Sequence, residues 1–246
     1  DKGKLSDSYR NILCEYDIDF EEGEHTEKQI FDADIVVKSP GIPDTVPMIV
    51  RLREQGIEVI SEIEFAGRHS SAKHICITGS NGKTTTTLLT HHILKRAGID
   101  VGLAGNVGHS LAAQVAENAH KVYVVELSSF QLDGMFRFRA DIAVLTNITP
   151  DHLDRYDHKF ENYINSKFRI LNNMRTEDLF IYGQDSEVLV DKLETLSVIP
   201  KCVGFTYGSK GENCAAWMDG DLIKAVLDDK EFQINKNDIT IKGRHN

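Results

Sequence analysis

The chain has 246 residues and carries 28 Lys plus Arg against 38 Asp plus Glu, a formal net charge of −10. That length fits one large domain or two of ordinary size, and the acidic balance excludes an extended nucleic-acid surface, which needs a basic face. A hydrophobic share of 41% is ordinary for a globular protein, no apolar run reaches the roughly eighteen residues of a membrane span, and no basic-then-apolar leader opens the chain.

Over the first 70 residues, short strands alternate with helices. Ile35-Val36-Val37 reads as a compact buried strand that runs into the turn Lys38-Ser39-Pro40-Gly41-Ile42-Pro43. Met48, Ile49, Leu52 and Ile57 have helical spacing with Gly56 near the helix end, and Val59-Ile60 is a further short strand. Such alternation implies a parallel sheet. From Lys73 the pattern restarts on a larger scale, with strands expected at 74–78, 101–104, 121–126 and 142–147 and helices near 83–97, 109–118 and 159–173. Residues 179–242 read as shorter strands with turns, such as Asp219-Gly220 between Ala215-Ala216-Trp217 and Leu222-Ile223. The fold class is α/β. Cys14, Cys76, Cys202 and Cys214 are scattered without a CxxC pair, which points to free thiols in a reducing cytoplasm rather than to zinc.

The run Thr78-Gly79-Ser80-Asn81-Gly82-Lys83-Thr84-Thr85-Thr86 follows an apolar strand and opens a helix. A strand, a glycine-rich turn and a helix starting Gly-Lys-Thr make a phosphate cradle, with backbone N–H groups and the helix N-terminus facing the anion. Gly79, Ser80, Asn81, Gly82, Lys83, Thr84, Thr85 and Thr86 are therefore the candidate contacts to ATP. Lys83 would reach the outer phosphates, and the Thr84 hydroxyl would ligate Mg²⁺. The general pattern has a glycine five residues before Gly82, where this chain has Ile77. Polar residues also follow the next strands: Asn106, then Glu126 with Ser128 and Ser129, then Asn147-Ile148-Thr149-Pro150-Asp151-His152. Ligands of such sheets sit beyond the carboxyl ends of the strands, so four ends converge on one crevice.

The phosphate loop, Gly105-Asn106-Val107-Gly108, Glu126-Leu127-Ser128-Ser129-Phe130-Gln131-Leu132 and Asn147-Ile148-Thr149-Pro150-Asp151-His152-Leu153-Asp154-Arg155-Tyr156 occur in an order that resembles the Mur ligases of bacterial peptidoglycan synthesis. The Glu-Leu-Ser-Ser-Phe-Gln-Leu segment is most similar to the branch that adds D-glutamate to UDP-N-acetylmuramoyl-L-alanine. The resemblance implies a P-loop-type central domain with a mostly parallel sheet over 71–246. It implies a truncated Rossmann-like domain over 1–70 that binds the UDP substrate, with Ser39, Pro40 and Gly41 near the uridine nucleotide. The resemblance further implies that the family's opening strand and its C-terminal amino-acid-binding domain are missing from this chain, Gly243-Arg244-His245-Asn246 falling where the central domain should finish. The fragment alone is therefore expected to be inactive.

The resemblance also implies roles. A carboxylate attacks the γ-phosphate of ATP, and the amine of D-glutamate then displaces phosphate from the acyl phosphate. Lys83, Asn106, His152 and Lys167 are the expected catalytic residues, with Asn106 and Ser128 touching substrate. Thr84 holds one Mg²⁺, and Glu126, His152 and Lys167 hold a second, Lys167 after reaction with CO₂ to a carbamate. The blander readings are a helix-capping Glu126, a helix-start His152, a solvated Lys167 and a left-handed turn at Asn106. Asp151 and Asp154 flank His152 as ring orienters or caps. The expected partners are the two substrates, with no nucleic acid and no membrane, for a cytoplasmic monomer. The alternatives are a sister ligase for another amino acid and a nucleotide-binding module without catalysis.

Overall fold

The computed structural model describes residues 3–197 and 199–239; Gly243-Arg244-His245-Asn246 lies outside them. Contacts divide the chain into a unit of residues 1–38 and 42–60 and a larger unit of residues 39–41 and 61–246. The smaller unit holds helices α1 (Asp7–Glu15) and α2 (Glu27–Ile30), strand β1 (Ile35–Val37), helix α3 (Pro47–Glu54) and strand β2 (Glu58–Ile60). Pro47 sits in the first turn of α3, where its missing N–H is no loss, and Gly56 follows the helix end at φ +77°. β1 and β2 pair in parallel, as the alternation implies. The expected burial of β1 does not hold: Ile35 is 38% and Val37 47% exposed, because this sheet has two strands and little of it is covered.

The larger unit begins with α4 (Glu62–His69), which the sequence reading places before the boundary at 70. It continues through β3 (Lys73–Thr78), α5 (Lys83–Arg96), β4 (Val101–Gly105), α6 (Leu111–Ala116), β5 (Val122–Glu126), α7 (Ser129–Asp133), β6 (Ile142–Leu145), α8 (Phe160–Phe168), β7 (Leu179–Gly183), α9 (Glu187–Glu194) and β8 (Lys201–Phe205). The strands β9 (Cys214–Asp219), β10 (Leu222–Leu227) and β11 (Lys230–Asn235) complete it. The nine strands run in the order β11-β10-β9-β8-β7-β6-β3-β5-β4, with β3 to β9 parallel and β10 and β11 antiparallel.

Side chains alternate across this sheet. Cys76, Tyr123, Val125, Ala143 and Phe180 enter the main core with α4, α6, α7, α8 and α9, whereas Ile77, Val101 and Val124 form a smaller cluster beneath Leu94 of α5. The expected strands of this unit appear within two residues of their bounds. The helix α9 is a correction, since its stretch reads as strand. The β-branched Val188 and Val190 suggest strand, but Leu189 is fully buried and Leu193 packs beside it four residues on, so the core fixes a helix. The four cysteines are free thiols. Among the described residues, no helix is long and apolar enough to cross a membrane.

Candidate functional site

β3 lies between β5 and β6, so the chain order reverses on either side of it and a crevice opens at its carboxyl end. Register places Ile77 of β3 opposite Glu126 of β5 and Val144 of β6, which brings the three strand ends level. Ile77 is a fully buried ladder residue, so the turn begins only at Gly79 and has no use for the glycine of the general pattern. A Cβ on Gly79 would meet Thr146 Oγ1 at 2.0 Å, so glycine alone lets the loop lie against the end of β6. Gly82 caps α5 at φ +82°.

Lys83 Nζ donates to the carbonyls of Gly79 at 2.9 Å and Ser80 at 3.0 Å. Burial lowers its pKa, and the nearby Glu126 and Asp151 oppose that shift. Ser80 is used within the fold. Its Oγ donates to the Thr149 carbonyl at 2.8 Å, accepts the Thr149 N–H at 2.9 Å and lies 3.1 Å from the Tyr163 hydroxyl. Its N–H donates to the Asn147 carbonyl at 2.9 Å, and the Asn81 N–H donates to Asn147 Oδ1 at 3.0 Å. The donors left for an anion are the first-turn N–H groups of Lys83, Thr84 and Thr85, which have no helical partner and no side-chain cap. Thr84 is exposed, Thr85 half-buried, and Thr86 Oγ1 donates to the Gly82 carbonyl at 2.9 Å.

Beside the loop, β4 is in register with β5 so that Gly105 faces Glu126. Asn106 Nδ2 donates to Glu126 Oε1 at 2.8 Å, and its N–H donates to the Glu126 carbonyl at 2.9 Å. The left-handed positions of this turn belong to Gly105 and Gly108, not to Asn106. Glu126 caps no helix: α7 is capped by Ser128 in a reciprocal pair with Gln131. The Glu126 carboxylate is buried, and its Oε2 has no hydrogen-bond partner among the described residues.

Tyr163 and Lys167 share a face of α8 and are both buried. Lys167 Nζ donates to Thr78 Oγ1 at 3.0 Å and lies 5.3 Å from the Tyr163 ring centroid. Burial, with the Lys83 cation second, lowers its pKa to about 7, against the pull of Asp151, Asp133 and Glu126. This is no solvated helix lysine. A cavity of about 340 Å³ is lined by Pro40, Gly41, Lys83, Asn106, Ser128, Ser129, Phe130, Asp151, His152, Tyr163 and Lys167. Ser39 is exposed and outside that lining. His152 stands at φ +50° ahead of a short 3-10 turn, its Nε2 3.4 Å from Asp151 Oδ2 and its ring 5.2 Å from that of Phe130.

Sequence reasoning gave no role to Thr78, Asn147, Phe130 or Arg155. The Arg155 guanidinium lies 4.4 Å over the Phe130 ring and donates to the carbonyls of Gly41 at 3.2 Å and Pro40 at 3.4 Å, which fixes that turn in the cavity wall. A second cavity of about 460 Å³ adjoins the loop through Asn81, Gly82 and Thr86, with Asn147, Asp185, Phe205 and Tyr207 among its other walls.

A hard cation suits an oxygen-rich site, and the orphaned Oε2 of buried Glu126 fits one. Among the described residues, no three His, Cys, Asp or Glu side chains are grouped to hold a metal by themselves. Further oxygens could come from Thr84, a phosphate or water.

Comparison with known proteins follows the same lines. Residues 77–246 match the model of the Mur ligase middle domain and residues 1–47 that of the MurD N-terminal domain. The UDP-N-acetylmuramoylalanine–D-glutamate ligase of Bacteroides fragilis is 53% identical over all 246 residues, which cover 55% of that protein, and the one of Christiangramia forsetii is 51% identical with the same coverage. The chain thus spans about half the length of the curated relatives it matches. Among solved structures, the UDP-N-acetylmuramate:L-alanyl-gamma-D-glutamyl-meso-diaminopimelate ligase of Neisseria meningitides superposes with a TM-score of 0.64 at 19% identity, over 99% of this chain and 79% of that one. A murein peptide ligase of Psychrobacter arcticus gives 0.58 at 18% identity, over 96% and 54%. These two share the fold.

Proposed function

The chain belongs to the Mur ligase family, which implies ATP and Mg²⁺, and we propose that it is part of an ATP-dependent ligase adding D-glutamate to UDP-N-acetylmuramoyl-L-alanine. The observation that carries this reading is the set Lys83, Asn106, Glu126 and Lys167 gathered at adjoining strand ends beside a phosphate loop. A nucleotide switch without catalysis has no need of a buried carboxylate with a free oxygen and a lysine whose pKa is lowered to about 7. The identity to D-glutamate-adding relatives supports D-glutamate as the amino acid.

The substrate carboxylate attacks the γ-phosphorus, forming the acyl phosphate as the bond to ADP breaks. The amine nitrogen of D-glutamate then attacks the acyl carbon, phosphate leaves, and the amine gives up a proton. Both steps crowd anions together, so fixed positive and N–H groups lower the barrier. Lys83 and the first-turn N–H groups of α5 take the outer phosphates. Asn106 Nδ2, already aimed into the crevice by Glu126, serves the substrate carboxylate or the phosphoryl oxygens, and Ser128 and the Pro40-Gly41 turn line the substrate's path. The second cavity beside Asn81 suits the nucleoside end of ATP.

Thr84 would hold one Mg²⁺, and Glu126, His152 and a carbamylated Lys167 a second; such ions, when bound, neutralise the phosphate oxygens. A Lys167 amine with a pKa near 7 has a lone pair for CO₂ at physiological pH, releasing one proton as the N–C bond forms. Cytoplasmic placement as a monomer follows from the same reading. The test is phosphate release by the full-length protein with ATP and UDP-N-acetylmuramoyl-L-alanine against a panel of amino acids. D-glutamate should be the required partner. Turnover with a diamino acid instead would move the chain to a sister ligase, and nucleotide binding without any turnover would leave a binding module.

A further inference from the structure

We propose that Asn147 is a positioning residue for Lys83: it turns two successive peptides of the phosphate loop so that their carbonyls hold the lysine ammonium. The inference rests on the reading of residues 79–86 as an ATP site and adds a residue outside the loop to it.

Asn147 follows β6, 64 positions after Lys83 in the chain, and three of its atoms grip the loop. Its carbonyl accepts the Ser80 N–H at 2.9 Å, its Oδ1 accepts the Asn81 N–H at 3.0 Å, and its Nδ2 donates to the Asn81 carbonyl at 3.0 Å. The side-chain amide thus takes both polar groups of Asn81, as a neighbouring strand would. Because a trans peptide is planar, its N–H and C=O point in opposite directions. Drawing the Ser80 N–H toward Asn147 sends the Gly79 carbonyl the other way, and drawing in the Asn81 N–H does the same to the Ser80 carbonyl. Those two carbonyls are the ones that accept from Lys83 Nζ, at 2.9 and 3.0 Å.

The neighbours cannot supply this. Thr146 Oγ1 donates to the Asn81 carbonyl at 2.8 Å but offers the Ser80 and Asn81 N–H groups nothing. Ser80 Oγ is committed to Thr149. Without the Asn147 amide the Asn81 peptide can rotate, its N–H competes for whatever lies in the crevice, and Lys83 loses one fixed acceptor.

A double-mutant cycle tests this on the 246-residue chain, with calorimetric titration of Mg²⁺ and a non-hydrolysable ATP analogue. Asn147→Ala should weaken binding by about tenfold or more. Asn147→Ser, whose hydroxyl can keep one of the two side-chain hydrogen bonds and adds no charge, should fall between. In a Lys83→Ala background, Asn147→Ala should cost less than about threefold, because its effect passes through the lysine. A merely structural role would give the same loss in both backgrounds. Amide exchange at Asn81 without nucleotide reads the clamp directly and should quicken in Asn147→Ala; a variant that does not fold is replaced by Asn147→Ser in both measurements. Equal affinities for wild type and Asn147→Ala, or equal losses in the two backgrounds, would overturn the inference and leave the ATP site standing. No binding by wild type would overturn both.

Discussion

The two ends of the nine-stranded sheet treat buried charge in opposite ways. Where the chain leads into β6 and β7, charges are fully paired. The Glu64 carboxylate, with no exposed surface, accepts the N–H groups of Phe136, Arg137 and Phe138 at 2.8–3.0 Å and Arg68 Nε at 2.9 Å. Asp178 takes Arg139 Nε at 2.8 Å and Nη2 at 2.5 Å, and accepts the Arg175 N–H at 2.6 Å. At the crevice end, Glu126 Oε2 has no partner among the described residues, and Lys167 reaches a hydroxyl rather than a carboxylate. Buried polar groups are ordinarily satisfied, so the paired end holds the fold together, and the unpaired end is the part that we propose substrates complete.

The largest expected effect tests the paired end. Glu64→Ala leaves three N–H groups and Arg68 without their acceptor and should cost about 3–5 kcal/mol of unfolding free energy in denaturant titration. Burial alone raises the Glu64 carboxyl, but the hydrogen bonds from Phe136, Phe138, Arg68 and Arg137 outweigh it and hold the group below its usual range. A carboxyl depressed in the fold stabilises above its unfolded pKa and loses that contribution as pH falls through the folded value. Wild type should therefore lose stability below about pH 4.5 more steeply than Glu64→Gln.

The next effect has the opposite sign and belongs to the crevice. Lys167→Met should raise stability at pH 7 by about 1–2 kcal/mol while abolishing ligation in the full-length protein, the trade expected where a strained group is kept for function. With a folded pKa near 7 and an ordinary unfolded value of 10.5, the unfolded chain binds more protons between those limits. Wild-type stability then rises with pH across that window, and the advantage of the Met variant should shrink toward pH 10. A constant difference would show that the lysine is not desolvated.

The smallest effect concerns the exception to the comparison. His74 is the second residue of β3, at the paired end, yet its Nε2, buried among the rings of Tyr123 and Phe138, has no hydrogen-bond partner among the described residues. Burial lowers its pKa, and Asp141, with Oδ2 4.0 Å from Nδ1, opposes that only in part. Below about pH 6.5 the unfolded chain gains the proton first, so stability should fall by about 1 kcal/mol toward pH 5.5. His74→Phe should remove that slope.

The difference between the ends also explains what the sequence made legible. The crevice groups lie at or a few residues beyond strand ends, and parallel register brings those ends level with one another, so Lys83, Asn106, Glu126 and His152 stood out as motif residues. The blander readings of Glu126, Lys167 and Asn106 fail on pairings made across the fold, with Asn106, Thr78 and Gly105 as the deciding neighbours. Asn147 and Arg155 sat inside the quoted segments but act on backbone carbonyls and N–H groups far along the chain, and no spacing reveals such contacts. Glu64 escaped notice for the same reason, since the backbone N–H groups it accepts from lie 72 to 74 residues away. Helix α9 was hidden by Val188 and Val190, whose strand preference gives way to the burial of Leu189.

The most direct test of whether nucleotide completes the crevice is unfolding free energy with and without Mg²⁺ and a non-hydrolysable ATP analogue, for wild type and Lys83→Met. A ligand that binds only the folded chain stabilises it by about 2.7 kcal/mol at a hundredfold excess over its dissociation constant. Wild type should gain that amount and Lys83→Met little at the same concentration. No gain by wild type, or an equal gain by both chains, would contradict the assignment of the crevice.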